Sequence, residues 1–241
     1  MMLEIIYQDQ WLVAINKPAG LLVHRSMIDR HETQFAIQLL RDQIGQRVYP
    51  LHRLDKPTSG VLLFALDPDT ARQMGESFSQ RETEKQYLAV VRGYTQEHEV
   101  IDYPLKEQLD KMTDAKAQQD KAAQPAVTAY QRLATVEFPF AVGRYTTARY
   151  SLLRLTPQTG RKHQLRRHMK HIFHPIVGDT SHGDGKHNTL FREQFNCHRL
   201  LLHAEQLIID HPHLGERLSL QAGLDEALSS IIERCGWQGL L

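Results

Sequence analysis

Six consecutive apolar residues, Val61 to Leu66, follow Gly60 and are closed by Asp67 and Pro68. A short run of that kind reads as a β-strand buried in a core, and the rest of the fold must be arranged around it. Upstream, "LEIIYQDQWLVAINK" divides into two strands about Asp9-Gln10, and the turn Lys17-Pro18-Ala19-Gly20 leads into a third extended piece. Further strands are predicted over 85–93, 126–136, 148–157, 201–210 and 217–222. Helices are predicted over 32–45, where Phe35, Leu39, Leu40 and Ile44 keep helical spacing before a Gly45 cap, and over 67–80, 160–174 and 225–236. In the third of these, Leu165, Met169 and Ile172 form the core-facing stripe. Strands scattered among helices, with several hairpins and no internal repeat, predict an α+β fold: a mixed, mostly antiparallel sheet flanked by helices. The stretch 106–126 is Ala/Gln/Lys/Asp-rich and reads as an exposed polar excursion.

The chain of 241 residues is long enough for a sizeable core. Cys197 and Cys235 stand in no metal-ligand spacing, which predicts a reducing compartment rather than a disulfide framework. The first residues include acids and no long apolar segment, and no run approaches the roughly 18 apolar residues of a membrane span. A cytoplasmic protein without a membrane partner is expected.

Net charge is only +1, but it is unevenly spread. Eight Lys or Arg and no Asp or Glu lie between Arg144 and His174, while the other 21 cations face 28 carboxylates. A cationic stripe on an acidic body suits a nucleic-acid or phosphate partner, although a charge run alone is more often a solvated face.

The segment "HRLDKPTSG" poses the chemical question, because Asp55 sits among His52, Arg53 and Lys56 just before the buried strand. Four readings compete. A metal site would use His163, His168, His171 and His174, yet no carboxylate or cysteine is near them in sequence and five cations would repel a dication. A phosphate-binding loop at "GDTSHGDGKH" fails on spacing, with Thr180 where Gly is needed and His187 where Ser or Thr is needed, so 178–187 reads as a loop. An aspartyl-phosphate centre would put the Asp after the apolar strand, not before it. An isolated Asp beside Pro57-Thr58-Ser59-Gly60 is most often a structural turn residue.

The joint pattern departs from that last reading. "HRLDKPTSG", "EKQYLAVVRG", "TGRKHQLRRH", "HPIVGDTSHG" and "LLHA", in that order, resemble the ordered motifs of the RluA-type RNA pseudouridine synthases. The resemblance implies a mixed sheet crossed by a basic active-site cleft. It also implies isomerisation of uridine to pseudouridine in structured RNA, with no cofactor and no metal. "TTARYSLLRLTPQTGRKHQLRRH" and the final "GWQGLL" look closest to members acting on uridine 65 of transfer RNA. A ribosomal-RNA or dual substrate is the alternative within the family, and a non-catalytic RNA-binding protein the alternative outside it. The chain is expected to be a single catalytic domain, 1–241, without an accessory N-terminal RNA-binding domain, and a monomer.

Carried over residue by residue, the resemblance makes Asp55 the catalytic nucleophile, attacking either the base or the sugar. Arg166 is the guanidinium that keeps it ionised, and two parallel hydrogen bonds to Asp55 are expected. Tyr87, which would otherwise be read as core filling, stacks on the extruded base and is a candidate for moving the C5 proton. Arg53 takes the place the base leaves. His52, Lys56, Arg161, Lys162, His163, Gln164 and Arg167 are the remaining expected RNA contacts.

Overall fold

The computed structural model describes residues 1–24, 33–107 and 122–240. The body is one ten-stranded sheet. Along its main path the order is β1 (Glu4–Gln8), β2 (Leu12–Lys17), β4 (Ser59–Ala65), β9 (Leu202–Asp210), β5 (Glu84–Arg92), β8 (Ala148–Pro157), β7 (Val127–Phe138) and β6 (His98–Asp102). The short β3 (Tyr49–Pro50) pairs with β4, and β10 (Arg217–Gln221) with β9. Five helices flank it: α1 (Ala36–Ile44), α2 (Pro68–Gln80), α3 (Gln164–His171), α4 (Gly185–Phe195) and α5 (Glu226–Arg234). The β4–β9 pair is parallel and every other ladder is antiparallel, which is the mixed sheet expected.

β4 shows why its sequence from Val61 to Ala65 carries no polar residue. Leu62 and Phe64 enter one cluster with Ala36 and Leu40 of α1, while Val61, Leu63 and Ala65 enter another with Met74 of α2 and Leu207, Ile209 and Leu220. Alternate side chains thus meet apolar layers on opposite faces, each worth about 1.5–3 kcal/mol of burial. Gly60 has φ +111°, and a Cβ there would overlap the backbone of Ala204. Glycine is required for β4 to lie this close to β9.

Several expectations are corrected. Among the described residues the extended piece expected after Gly20 forms no strand over 21–24, only the isolated bridge of Leu22 to Phe35. Gly185, Lys186 and His187 are not loop but the first turn of α4, capped by Asp184, whose Oδ1 accepts from Lys186 N at 3.0 Å. β3 and β6 have no counterpart in the sequence reading; in β6 His98, Glu99 and Asp102 are polar and exposed, so the strand lacks an apolar signal. α3 begins at Gln164 rather than Gly160. Most of the expected polar excursion, 108–121, lies outside the described residues. Among the described residues no helix is long and apolar enough to cross a membrane.

Candidate active site

Strand order brings the chemistry together. Asp55 stands at the mouth of β4, in a turn closed by Thr58 N donating to Asp55 O at 3.0 Å. Tyr87 stands on β5, opposite Ala204 of the intervening β9, whose neighbour across the parallel ladder is Gly60. The β5–β9 register shifts between Gln86 and Tyr87, a bulge that re-aims the tyrosine. Beneath the loop, Lys17 is wholly buried and its Nζ donates to the carbonyls of Pro18, Leu21 and Lys56 at 2.9, 2.8 and 3.2 Å. Burial and then Arg199 push its pKa down to about 7, against Asp55. Lys17 therefore staples its own turn to the residue following Asp55.

Arg166 reaches Asp55 from α3, and the division of its donors is the main finding. Nε and Nη2 grip Asp179 Oδ2 and Oδ1 at 2.7 and 2.8 Å, and only Nη1 reaches Asp55 Oδ2, at 3.1 Å. The expected two-pronged grip on Asp55 is thus corrected: the fork belongs to Asp179. A guanidinium offers parallel donors at its Nε–Nη2 side or its Nη1–Nη2 end, and the buried carboxylate, only 1% exposed, has taken the side pair, which leaves Nη1 for Asp55. Burial works to raise the Asp179 pKa, but Arg166 and the backbone N–H groups of His182 and Ser181 overcome it and hold it below the usual range. Asp179 is itself fixed from α4: Asn188 Nδ2 donates to Asp179 O at 2.8 Å, and Asn188 Oδ1 accepts from Gly178 N at 2.7 Å. Burial opposes the charge of Arg166, and the two carboxylates raise its pKa.

Asp55 is 21% exposed at its side chain. Its second neighbour is His163, with Nε2 3.8 Å from Oδ2. His163 occupies the left-handed backbone region, φ +55°, at the N-cap of α3, and Nδ1 lies 3.0 Å from Nε2 of His182. Burial lowers its pKa to about 4 despite Asp55, so the ring is neutral near pH 7. Among the described residues Arg166 is the charged partner, and Oδ1 of Asp55 is left without a hydrogen bond.

Asp55, Tyr87 and Arg166 line a cleft of about 980 Å³ together with the cations Arg53, Arg81, Lys85, Arg161 and Lys162 and the carboxylate Glu84. His52 also lines it, but its Nε2 accepts from Leu63 N at 3.1 Å and its ring stacks on Phe78 at 5.3 Å. Burial, then Lys85, drives its pKa to about 3, so it is a neutral wall residue, not a phosphate-binding cation. Gln164 is corrected likewise. Its Oε1 accepts from Thr159 Oγ1 and Arg161 N, and its Nε2 donates to Val127 O and Thr128 Oγ1, which uses the whole amide. It clamps the turn before α3 to β7. Lys56 and Arg167 are outside the cleft lining. The four α3-region histidines do not converge on one point: His163 meets His182, His168 meets Thr128 and Tyr103 O, His171 stacks on the Tyr103 ring, and His174 meets Arg92 O.

Sequence reasoning did not single out Asp179, His182, Asn188, Arg81 or Lys85. Asp179 stood in a quoted motif with no role attached. Arg81 reaches the cleft because it ends α2 in the left-handed region, φ +63°, where glycine is the common occupant.

A fold of this order with an Asp–Arg pair in an open, cation-lined cleft matches a known class. Residues 11–171 match the family profile described as RNA pseudouridylate synthase. The chain belongs to this family. It is 60% identical over 237 residues to tRNA pseudouridine synthase C of Vibrio cholerae, covering 98% of this chain and 97% of the relative. The same-named protein of Haemophilus influenzae is 57% identical over 239 residues, with 99% and 100% covered. Among solved structures, human RNA pseudouridylate synthase domain containing 4 superposes with a TM-score of 0.72 at 32% identity, over 97% of this chain and 93% of that one.

Proposed function

We infer that this protein isomerises uridine to pseudouridine in transfer RNA, with Asp55 as the nucleophile acting on a flipped-out nucleotide. The observation that carries the reading is the one-bond contact between Arg166 and Asp55. One carboxylate oxygen is steadied by a guanidinium, the other accepts no hydrogen bond among the described residues, and Asp55 and Tyr87 line the same cleft. The relatives named tRNA pseudouridine synthase C support transfer RNA as substrate, and the sequence resemblance points to uridine 65.

In the reaction the N1–C1′ bond breaks, the base turns, a C5–C1′ bond forms, and the proton leaving C5 is balanced by one gained at N1. Nothing is consumed and no electrons are exchanged, so the reading needs no cofactor or metal. Asp55 attacks the base or the sugar through its open oxygen, while Arg166 stabilises the carboxylate between steps. Asp179 acts through Arg166: by holding the fork, it keeps the guanidinium from closing both prongs on the nucleophile. Tyr87 is half-buried in the cleft wall, and desolvation there raises its pKa, with Asp55 adding to the effect, so its hydroxyl stays protonated and is available as a neutral hydrogen-bonding group against the base. Arg53, Arg81, Arg161 and Lys162 receive the RNA backbone, positioning it without reading sequence. The enzyme works as a monomeric single domain in the cytoplasm.

Pseudouridine mapping of total tRNA and rRNA from cells lacking the gene, with and without complementation, tests this. Loss of one tRNA pseudouridine, restored by the wild type and not by Asp55→Asn, is expected. Loss confined to rRNA overturns the substrate assignment, and restoration by Asp55→Asn overturns the nucleophile.

A further inference from the structure

Among the described residues four large aromatic side chains are exposed: Tyr94, Tyr103, Tyr145 and Phe173. Three have a basic group against the ring. The Arg149 guanidinium lies 5.3 Å over Tyr94, Arg144 5.0 Å over Tyr145, and His171 stacks on Tyr103 at 3.6 Å. Phe173 follows α3 directly, with its N donating to Lys170 O at 3.0 Å and His174 N donating to Met169 O at 2.9 Å. This is the helix-ending position that glycine usually fills, because the backbone must be left-handed. Phe173 adopts φ +65° with its ring 78% exposed. A bulky residue there is strained, and so exposed a ring gains almost no packing in return. The fold of the chain itself gives no reason for a phenylalanine at this place.

The surroundings indicate what the ring meets. Lys170 is exposed, three residues before Phe173, and Arg167 is half-buried near Tyr103. Arg92 Nη2 donates to Phe173 O at 3.0 Å, and His174 Nδ1 lies 2.8 Å from Arg92 O, so Phe173 sits at the same end of β5 as Tyr94 with its Arg149. Of the nearby acids, Asp184 pairs with Arg92 and Glu137 with Arg149, which leaves Asp102 beside Tyr103. Aromatic faces interleaved with basic groups suit bases and phosphates of a nucleic acid better than an apolar protein surface. Five residue steps along β5 separate Arg92 from Tyr87, about 16 Å, a distance one folded RNA spans easily.

We propose that Phe173, with the Tyr103–His171 stack and Lys170, forms a second RNA-contact surface outside the catalytic cleft. It stacks on an unpaired or helix-terminal base and binds adjacent phosphate of the same RNA whose uridine enters the cleft. The proposal rests on the function inferred above. The test compares wild type with Phe173→Gly, Phe173→Leu and Phe173→Trp by tRNA-binding titration, thermal melting and pseudouridine formation. Phe173→Gly should melt about 2–4 °C higher, because strain is relieved, and should bind tRNA about tenfold more weakly, equivalent to roughly 1.4 kcal/mol. Phe173→Trp should bind like wild type, and Phe173→Leu should not, since it keeps apolar bulk but no ring face. Unchanged affinity in Phe173→Gly overturns the proposal, as does wild-type affinity in Phe173→Leu. A change of oligomeric mass on Phe173→Gly with RNA affinity intact would give the ring to a second copy of the chain and also overturn it. Absence of pseudouridine with the wild-type protein would instead defeat the functional reading, while the affinity comparison would still decide this surface.

Discussion

Two carboxylates at separate places in the fold are built from the same kinds of residue. Asp9 accepts four hydrogen bonds: Trp11 N and Leu12 N at Oδ1, at 2.8 and 2.7 Å, and Tyr7 OH and His211 Nε2 at Oδ2, at 2.7 and 2.8 Å. Trp11 stacks on His213 at 4.7 Å, and His213 bonds Thr70 at 2.7 Å, closing the cluster. Asp55 also has histidine and a ring nearby, yet one donor holds it and a cleft opens before it. Buried histidines and a carboxylate therefore do not make a site by themselves. An acceptor left short of donors, facing open space lined with charge, does.

The same substitution made in both clusters tests that contrast most severely. Asp55→Asn should lower pseudouridine formation by at least about 10³-fold with melting nearly unchanged, because the nucleophile's charge is lost and little packing changes. Asp9→Asn should leave turnover within about twofold but cost about 1–3 kcal/mol of stability, since a saturated acceptor is disrupted. Denaturant melts and single-turnover assays on both proteins check it, and an active Asp55→Asn would break the contrast.

Asp179→Asn sharpens it. Released from its buried partner, Arg166 should close on Asp55 and occupy the oxygen needed for attack. A fall of about 10²-fold in kcat is expected, with Kd for RNA within about threefold. The stability cost is about 3–5 kcal/mol for breaking a buried pair. A loss confined to Kd would show that Asp179 organises the RNA-binding wall instead. Next in size, Tyr87→Leu should lose about 5- to 100-fold in RNA affinity through lost stacking, while Tyr87→Phe should bind normally but turn over slowly. Full turnover in Tyr87→Phe would remove the hydroxyl from the mechanism.

The smallest effect concerns pH. His203 is fully buried, with Nδ1 2.8 Å from Ser59 Oγ and Nε2 3.1 Å from Ala222 O, and burial lowers its pKa to about 4. On acidification the unfolded chain takes up this proton below about pH 6.5, whereas the folded chain does so only near pH 4. Its contribution therefore makes stability fall as pH drops between those values, by at most about 1.4 kcal/mol per pH unit. His203→Gln should flatten the stability–pH curve in that window by up to about one proton. An unchanged slope would assign the proton to His52 or His163.

The strands and helices that carry apolar periodicity were legible in the sequence, and ordered motifs picked out Asp55, Tyr87 and Arg166, three residues that the fold brings to one cleft. What the sequence could not show was how donors are shared. Arg166 divides its donors between two carboxylates, and the placement of Asp179 by α4 decides which receives the Nε–Nη2 pair. Gln164 looked like a polar residue on a cationic helix, whereas its partners, Val127 and Thr128, come from a strand 36 residues or more away. α4 was hidden because glycines at 183 and 185 resemble a loop, although Asp184 provides the cap.

The position of β9 in the sheet has a consequence for the timing of synthesis. Residues 202–210 insert between β4 and β5, so the strands presenting Asp55 and Tyr87 have no common neighbour until nearly the whole chain exists. At about 5–20 residues per second, roughly 7–30 s pass on the ribosome between synthesis of Asp55 and synthesis of the strand that seats it. Until then the β4 and β5 edges that β9 occupies in the finished sheet lack that partner. The cleft that joins Asp55 to Tyr87 is therefore assembled only when the last-made third folds into the middle of the sheet, and its presence marks a chain that has been completed through β9.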